Sequence, residues 1–136
     1  MSGHDLGRHP LAVIGDTLLD RDIEGTVERL APDAPVPVVD EEAVVSRPGG
    51  AGLAALLAAA DGRDVTLVTA LGDDDAGAEV RALLATAGVD VVSLPTEGRT
   101  AEKVRVCAGG RPLLRLDRGG DRGAAIVEDR RDGPAV

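Results

Sequence analysis

The sequence predicts an α/β fold in which a parallel sheet is flanked by helices and a second, smaller sheet stands off it. Three observations carry this. Short apolar runs that suit buried strands alternate with stretches of helical apolar spacing. Segments near 21–45 and 101–117 instead alternate apolar and polar residues, as one-sided strands do. The chain's 136 residues are enough for one domain and too few for two comfortable ones.

In chain order, residues 1–10, MSGHDLGRHP, read as a loose leader without the basic-then-apolar pattern of a secretion signal. His4 and His9 lie there with no cysteine or carboxylate set at ligand spacing, so no metal is expected. LAVIG (11–15) is a short apolar run ending in glycine, which suits a buried strand. Beyond it Ile23, Gly25 and Val27, then Val36 and Val38, alternate with polar neighbours, and Pro32, Pro35 and Pro37 break the run between them. The stretch SRPGGAGLAALLAAADG (46–62) opens on a glycine pair and continues as a helix. Its Leu53, Leu56, Leu57 and Ala60 form one apolar stripe, and Gly62 stands where a C-terminal cap belongs.

VTLVTALG (65–72) reads as the second buried strand. The acidic run at 73–75 starts a second helix, whose Val80, Leu83, Leu84 and Ala87 repeat the stripe before Gly88 closes it. VDVVSL (89–94) gives the third strand, and right-handed crossovers join the three in parallel. Then the rhythm changes. Val104 and Val106, followed by Leu114 and Leu116, alternate with polar partners around AGGRP, as in a β-hairpin. Residues 119–136, rich in glycine and charge, are expected to be a disordered tail.

Composition excludes several functions. A net charge of −9 and the absence of Phe, Trp and Tyr leave neither a basic face nor a stacking platform for nucleic acid. The missing rings also leave the core to Val, Leu, Ile and Ala. No apolar run approaches the ~18 residues of a membrane span. A single cysteine, Cys107, forms no internal disulfide and suits a reducing cytoplasm. A soluble, cytoplasmic chain is the expectation.

Few residues offer chemistry. Gly49 and Gly50, at the mouth of a helix, mark either a tight turn or a place where a polar ligand meets bare N–H groups. No Gly-Lys-Ser/Thr follows, so this is not the phosphate loop of nucleotide hydrolases. Asp16 and Asp20 stand just past the first strand, where open parallel sheets bind ligands, and carboxylates suit sugar hydroxyls because they accept without donating. A solvated turn is the alternative. Asp73, Asp74 and Asp75 are explained by helix capping more simply than by a cation. Lys103 and Arg105 alternate along one strand and share a face that either grips a phosphate or is merely solvated; Cys107 extends that face as a packing residue.

The stretches VIGDTLLDRDIEGTVERLAPDAPVPVV, RPGGAG, VTLVTALGDDDAG and KVRV…LLRLD together resemble the amino-terminal half of ribokinase-like (PfkB family) sugar kinases. GDTLLDRD…ERLAPDAPVPVV followed by RPGGAG is similar above all to D-glycero-β-D-manno-heptose 7-phosphate kinase domains. The likeness spans roughly residues 11–118 and implies an α/β layer with a β lid over the sugar. It implies that Asp20 binds sugar hydroxyls, that the Gly49–Gly50 turn approaches the sugar, and that Lys103 and Arg105 are lid residues facing the substrate's phosphate. It implies lid strands that pair between subunits, so a homodimer or a carboxy-terminal half is the expected partner beside a sugar phosphate.

Two departures stand out. Leu53 occupies the place of an asparagine that contacts the sugar in the family. The Gly-Ala-Gly-Asp-like motif that supplies the catalytic base and anion hole has no counterpart in residues 110–136. ATP and Mg²⁺ are therefore expected only for a complete enzyme, with no catalytic residue in this chain, which reads as a truncated kinase or a noncatalytic pairing module.

Overall fold

The computed structural model describes residues 9–120, and the leader expected at 1–10 and the tail at 119–136 lie largely outside them. Three short parallel strands, β1 (Leu11–Ile14), β4 (Val65–Ala70) and β5 (Asp90–Leu94), form one sheet in the order β1-β4-β5. Four longer strands form the other: β2 (Thr17–Leu30), β3 (Pro37–Gly50), β6 (Glu102–Ala108) and β7 (Arg111–Arg118), in the order β3-β2-β6-β7. Helices α1 (Ala51–Ala60) and α2 (Asp75–Thr86) complete the fold. The stand-off sheet is a pair of antiparallel hairpins joined by a parallel pairing of β2 with β6. Gly109 and Gly110, both at positive φ (57° and 74°), make the tight turn of the second hairpin.

Val65 and Leu67 of the parallel sheet meet Ala55 of α1 and Val80 and Leu84 of α2, all fully buried. Leu19, at the root of the stand-off sheet, completes this core, so the two layers share one apolar seam. Both helices lie on the same face, as right-handed crossovers running in one direction along the sheet require. Among the described residues nothing covers the opposite face: Ile14 and Val92 flank Val68 in register and are 76% and 49% exposed. Parallel sheets are normally covered on both faces. Among the described residues no helix is long and apolar enough to cross a membrane.

Helix α2 follows its sequence pattern, with Val80 and Leu84 inward. Helix α1 does not. Its buried residues are Gly52 and Ala55, while Leu57 of the expected leucine stripe is 59% exposed. The cause is close approach. A Cβ at Gly52 would stand 2.6 Å from Thr17 Cγ2 and 2.9 Å from Pro48 Cβ, so only the face of small residues fits against the strands. In a helix built almost wholly of alanine and leucine, apolar spacing does not distinguish that face.

Candidate functional site

The bend at Pro48-Gly49-Gly50 is where the two layers meet. Gly50 has φ 61° and ψ −132°, a conformation that residues with a Cβ rarely adopt, and a Cβ there would stand 2.5 Å from the Asp16 carbonyl oxygen. That carbonyl accepts the N–H of Ala51 at 2.8 Å, tying the end of the first strand to the start of α1. Thr69 donates its hydroxyl to that of Thr17 at 3.0 Å, a buried bond that fixes the root of β2 to β4. Tight turn and close approach, the two readings of the glycine pair, therefore coexist.

What comes close to the bend is Asp20. In β2 it stands opposite Arg47 of β3 and Lys103 of β6, and Leu18, on its face, stands opposite Gly49. A Cβ on Gly49 would lie 2.5 Å from Asp20 Oδ2. The Asp20 side chain is only 15% exposed, and its Oδ1 is buried with no hydrogen-bond partner; the nearest cation, Arg105 Nη2, is 3.9 Å away. An unsatisfied buried carboxylate oxygen is costly and so asks for a donor.

The arginines beside it are engaged elsewhere. Arg47 Nη1 donates to Asp22 Oδ2 at 2.7 Å, and Arg105 Nη1 to Asp22 Oδ1 at 3.3 Å. The Arg47 hydrogen bond, helped by Arg105, holds the Asp22 carboxyl below its ordinary value against partial burial. Lys103 makes no ion pair among the described residues. Asp20, Gly49, Lys103 and Arg105 thus share one neighbourhood on the stand-off sheet, while Gly50 touches Asp16 through its backbone. Cys107 is buried beside Glu24, and burial first, then that carboxylate, push its thiol up, as befits a packing residue. Leu53 is half-buried on α1.

Asp16 is exposed and lines a different space, a cavity of about 320 Å³ at the strand ends that also receives Thr17, Gly72, Arg99 and Thr100. Asp20 does not line it. The wall of this cavity is knitted by Asp74, which caps α2 by accepting the Gly77 N–H at 2.8 Å and also accepts the Thr100 N–H at 2.8 Å. Capping is thus what the acidic run supplies. Among the described residues no group of three or more His, Cys, Asp or Glu is placed to hold a metal ion.

Burial pushes the Asp74 carboxyl up, but the N–H groups of Gly77 and Thr100 outweigh it and the net shift is downward. Burial likewise pushes the Glu79 carboxyl up, and hydrogen bonds from Ser46 and Arg21 outweigh that push and hold it low. Carboxyls held low when folded stabilise the fold above their ordinary values, and that stability is lost as pH falls through the folded values. Thermal melting is expected to be flat from pH 7 to about 5 and to fall below about pH 4. Asp74→Ala is expected to cost about 1–2 kcal/mol in urea unfolding at pH 7 and to reduce the acid-dependent loss.

Sequence reasoning missed Asp22, Arg47 and a latch centred on Arg21. Arg21 donates to Glu79 of α2 at 2.7 Å and to Glu102 of β6 at 2.9 Å, joining the two layers through side chains. Asp22 and Arg21 were legible only as members of the alternation on β2, which assigns faces but no partners.

The sequence and the fold have known counterparts. The pfkB family carbohydrate kinase model matches residues 8–119. A bifunctional protein HldE from Streptomyces coelicolor is 56% identical over 125 residues, covering 92% of this chain and 27% of that protein. One from Nitrosococcus oceani is 47% identical over 107 residues, covering 77% and 22%. The chain thus spans about a quarter of the length of these curated relatives. Among solved structures, a carbohydrate kinase from Agrobacterium tumefaciens superimposes with TM-score 0.63 at 23% identity, over 80% of this chain and 35% of that one. A ribokinase from Cryptococcus neoformans in complex with ADP gives 0.52 at 23% identity, over 80% and 34%. These two likenesses establish the fold as part of the ribokinase-like fold: an α/β layer carrying a second sheet. With four long strands that second sheet is the larger of the two and not the smaller one expected from the sequence. With residues 8–119, most of its own length, matched by the family model, the chain belongs to the pfkB family of carbohydrate kinases.

Proposed function

We propose that residues 11–118 are the sugar-binding and lid portion of an ATP-dependent carbohydrate kinase acting on a heptose 7-phosphate. Asp20 accepts hydrogen bonds from sugar hydroxyls, and the Gly49–Gly50 bend lets the sugar approach the backbone. Lys103, with Arg105 beside it, faces the substrate's phosphate, while Asp16 lines the separate cavity at the strand ends. The observation that supports this most is the buried Asp20 Oδ1 with no donor, beside a glycine that leaves its carboxylate room. Phosphoryl transfer needs a base for the attacking hydroxyl and positioned charge at the γ-phosphate. Those belong to the remainder of such a kinase, and ATP and Mg²⁺ act there.

The test is to mix the chain with sedoheptulose 7-phosphate or D-glycero-D-manno-heptose 7-phosphate and to measure heat of binding, then to add ATP and Mg²⁺. Binding without phosphate transfer is expected. Absence of binding to either sugar, or product above a protein-free control, contradicts the proposal.

A second reading has its own support. The bare face around Ile14 and Val92, and the exposed Leu114 and Leu116 of edge strand β7, are apolar surface that asks for cover. On this reading the chain is a pairing module, joined through its lid strands to a second copy or to a carboxy-terminal half of a kinase. Light scattering separates the readings: a monomer at micromolar concentration that binds sugar phosphate favours the first alone.

A further inference from the structure

We infer that Asp22 is a positioning residue that keeps Asp20 free by holding two guanidinium groups away from it; its bearing on sugar binding rests on the function proposed above. Strand alternation puts Asp20 and Asp22 on one face of β2, two residues apart. Arg47 stands directly opposite Asp20 in the pairing of β2 with β3, so Asp20 is its natural cross-strand partner. It nevertheless leans past Asp20 to donate to Asp22 Oδ2 at 2.7 Å. Arg105, opposite Asp22 on β6, donates to the other oxygen at 3.3 Å and leaves its Nη2 3.9 Å from Asp20 Oδ1.

Both Asp22 oxygens are therefore occupied, each by a different arginine, while Asp20 Oδ1 is buried without a donor. Two arginines sit next to a carboxylate that needs hydrogen bonds and do not satisfy it. The difference between the two aspartates is partnership. Asp22 is engaged by both guanidiniums at once, and a carboxylate so held competes better for them than Asp20 does. Among the described residues Asp20 is the other carboxylate that stands within 4.0 Å of Arg105, at 3.9 Å, and Arg47 faces it across the strand pair. Without Asp22 both guanidiniums therefore turn to Asp20. Guanidinium N–H groups would then fill the acceptor positions that sugar hydroxyls require.

The experiment follows the Asp20 Cγ carbon and the Arg47 and Arg105 Nε–H signals by NMR in the sugar-free 136-residue chain, as wild type, Asp22→Ala and Asp22→Asn. The isosteric Asn variant keeps the question answerable if the alanine variant does not fold. Movement of the Asp20 Cγ resonance together with an arginine Nε–H signal in a folded variant is expected, because a new ion pair forms. An Asp20 resonance unmoved in the folded variants overturns the inference, since a merely structural Asp22 would leave it in place. Titration with D-glycero-D-manno-heptose 7-phosphate is the second readout, with Kd expected to weaken at least about tenfold. A shifted Asp20 resonance with unchanged affinity leaves the arginine-holding role standing and overturns Asp20 as the sugar acceptor. Wild-type protein that binds no sugar overturns the proposed function, and the Asp20 resonance still decides the role of Asp22.

Discussion

Asp20→Ala is expected to abolish measurable sugar-phosphate binding while leaving the fold as stable as before, or more so. The two halves have one cause. A carboxylate hydrogen bond to a hydroxyl contributes about 1.5–3 kcal/mol, so losing one acceptor weakens Kd at least about tenfold and losing both by about a hundredfold or more. Yet the same carboxylate buries Oδ1 with no donor, and removing an unsatisfied charged group from a half-closed site relieves a desolvation cost. An ordinary structural aspartate behaves the other way, losing stability with its hydrogen bonds. Isothermal titration with D-glycero-D-manno-heptose 7-phosphate and thermal melting of the same samples check both halves. Weakened binding with an unshifted or raised Tm agrees; a Tm lowered by several degrees with unchanged affinity assigns Asp20 to the fold instead.

Gly50→Val is expected to be the most destabilising single change at the bend, costing about 3 kcal/mol or more. Two penalties act at once. A β-branched residue is forced to φ 61° with ψ −132°, and its Cβ meets the Asp16 carbonyl oxygen, at 2.5 Å from an ideal position. That carbonyl already accepts the Ala51 N–H, so it cannot retreat without unravelling the first turn of α1. Gly49→Ala isolates the neighbouring effect. Its backbone φ is not in the left-handed region, but its Cβ would press on Asp20 Oδ2. It should impair sugar binding more than it impairs folding. Urea midpoints for the two variants, set beside their affinities, separate the constraint of the turn from the constraint of the site.

These expectations show what the sequence carries. The alternation from Ile23 onward that marked a one-sided strand, and the glycine pair that marked the bend, are local patterns; that the strand begins at Thr17 and carries Asp20 was not among them. Local patterns survive without a structure because strand period and backbone permissiveness depend on a few consecutive residues. The stripe of α2 was legible for the same reason, since its polar residues leave one apolar face. Helix α1 was not, because its composition is apolar all round and the choice of face is made by Thr17 and Pro48 on other strands. The hairpin of β6 and β7 could be read from its turn and periodicity, and β2 and β3 only as one-sided strands, but the parallel pairing of β2 with β6, which sets Asp20 beside Lys103, joins residues more than eighty positions apart.

The electrostatic half of the site was illegible for a related reason. Asp22 and Arg47 are ordinary charged residues in a chain rich in both signs, and only the register of β2 with β3 brings them to 2.7 Å. Arg21 is the same case: its partners Glu79 and Glu102 lie on an α2 turn and on β6, and nothing near Arg21 in the sequence points to either. The family resemblance supplied Asp20 as a ligand residue; it did not supply the neighbours that keep that residue available.

The most direct test is a map of where a sugar phosphate binds. Amide chemical-shift changes in ¹⁵N-labelled protein titrated with D-glycero-D-manno-heptose 7-phosphate should concentrate at Asp20, Gly49, Gly50 and Lys103. Changes confined to Gly72, Arg99 and Thr100 around the strand-end cavity, or none at all, would contradict the assignment.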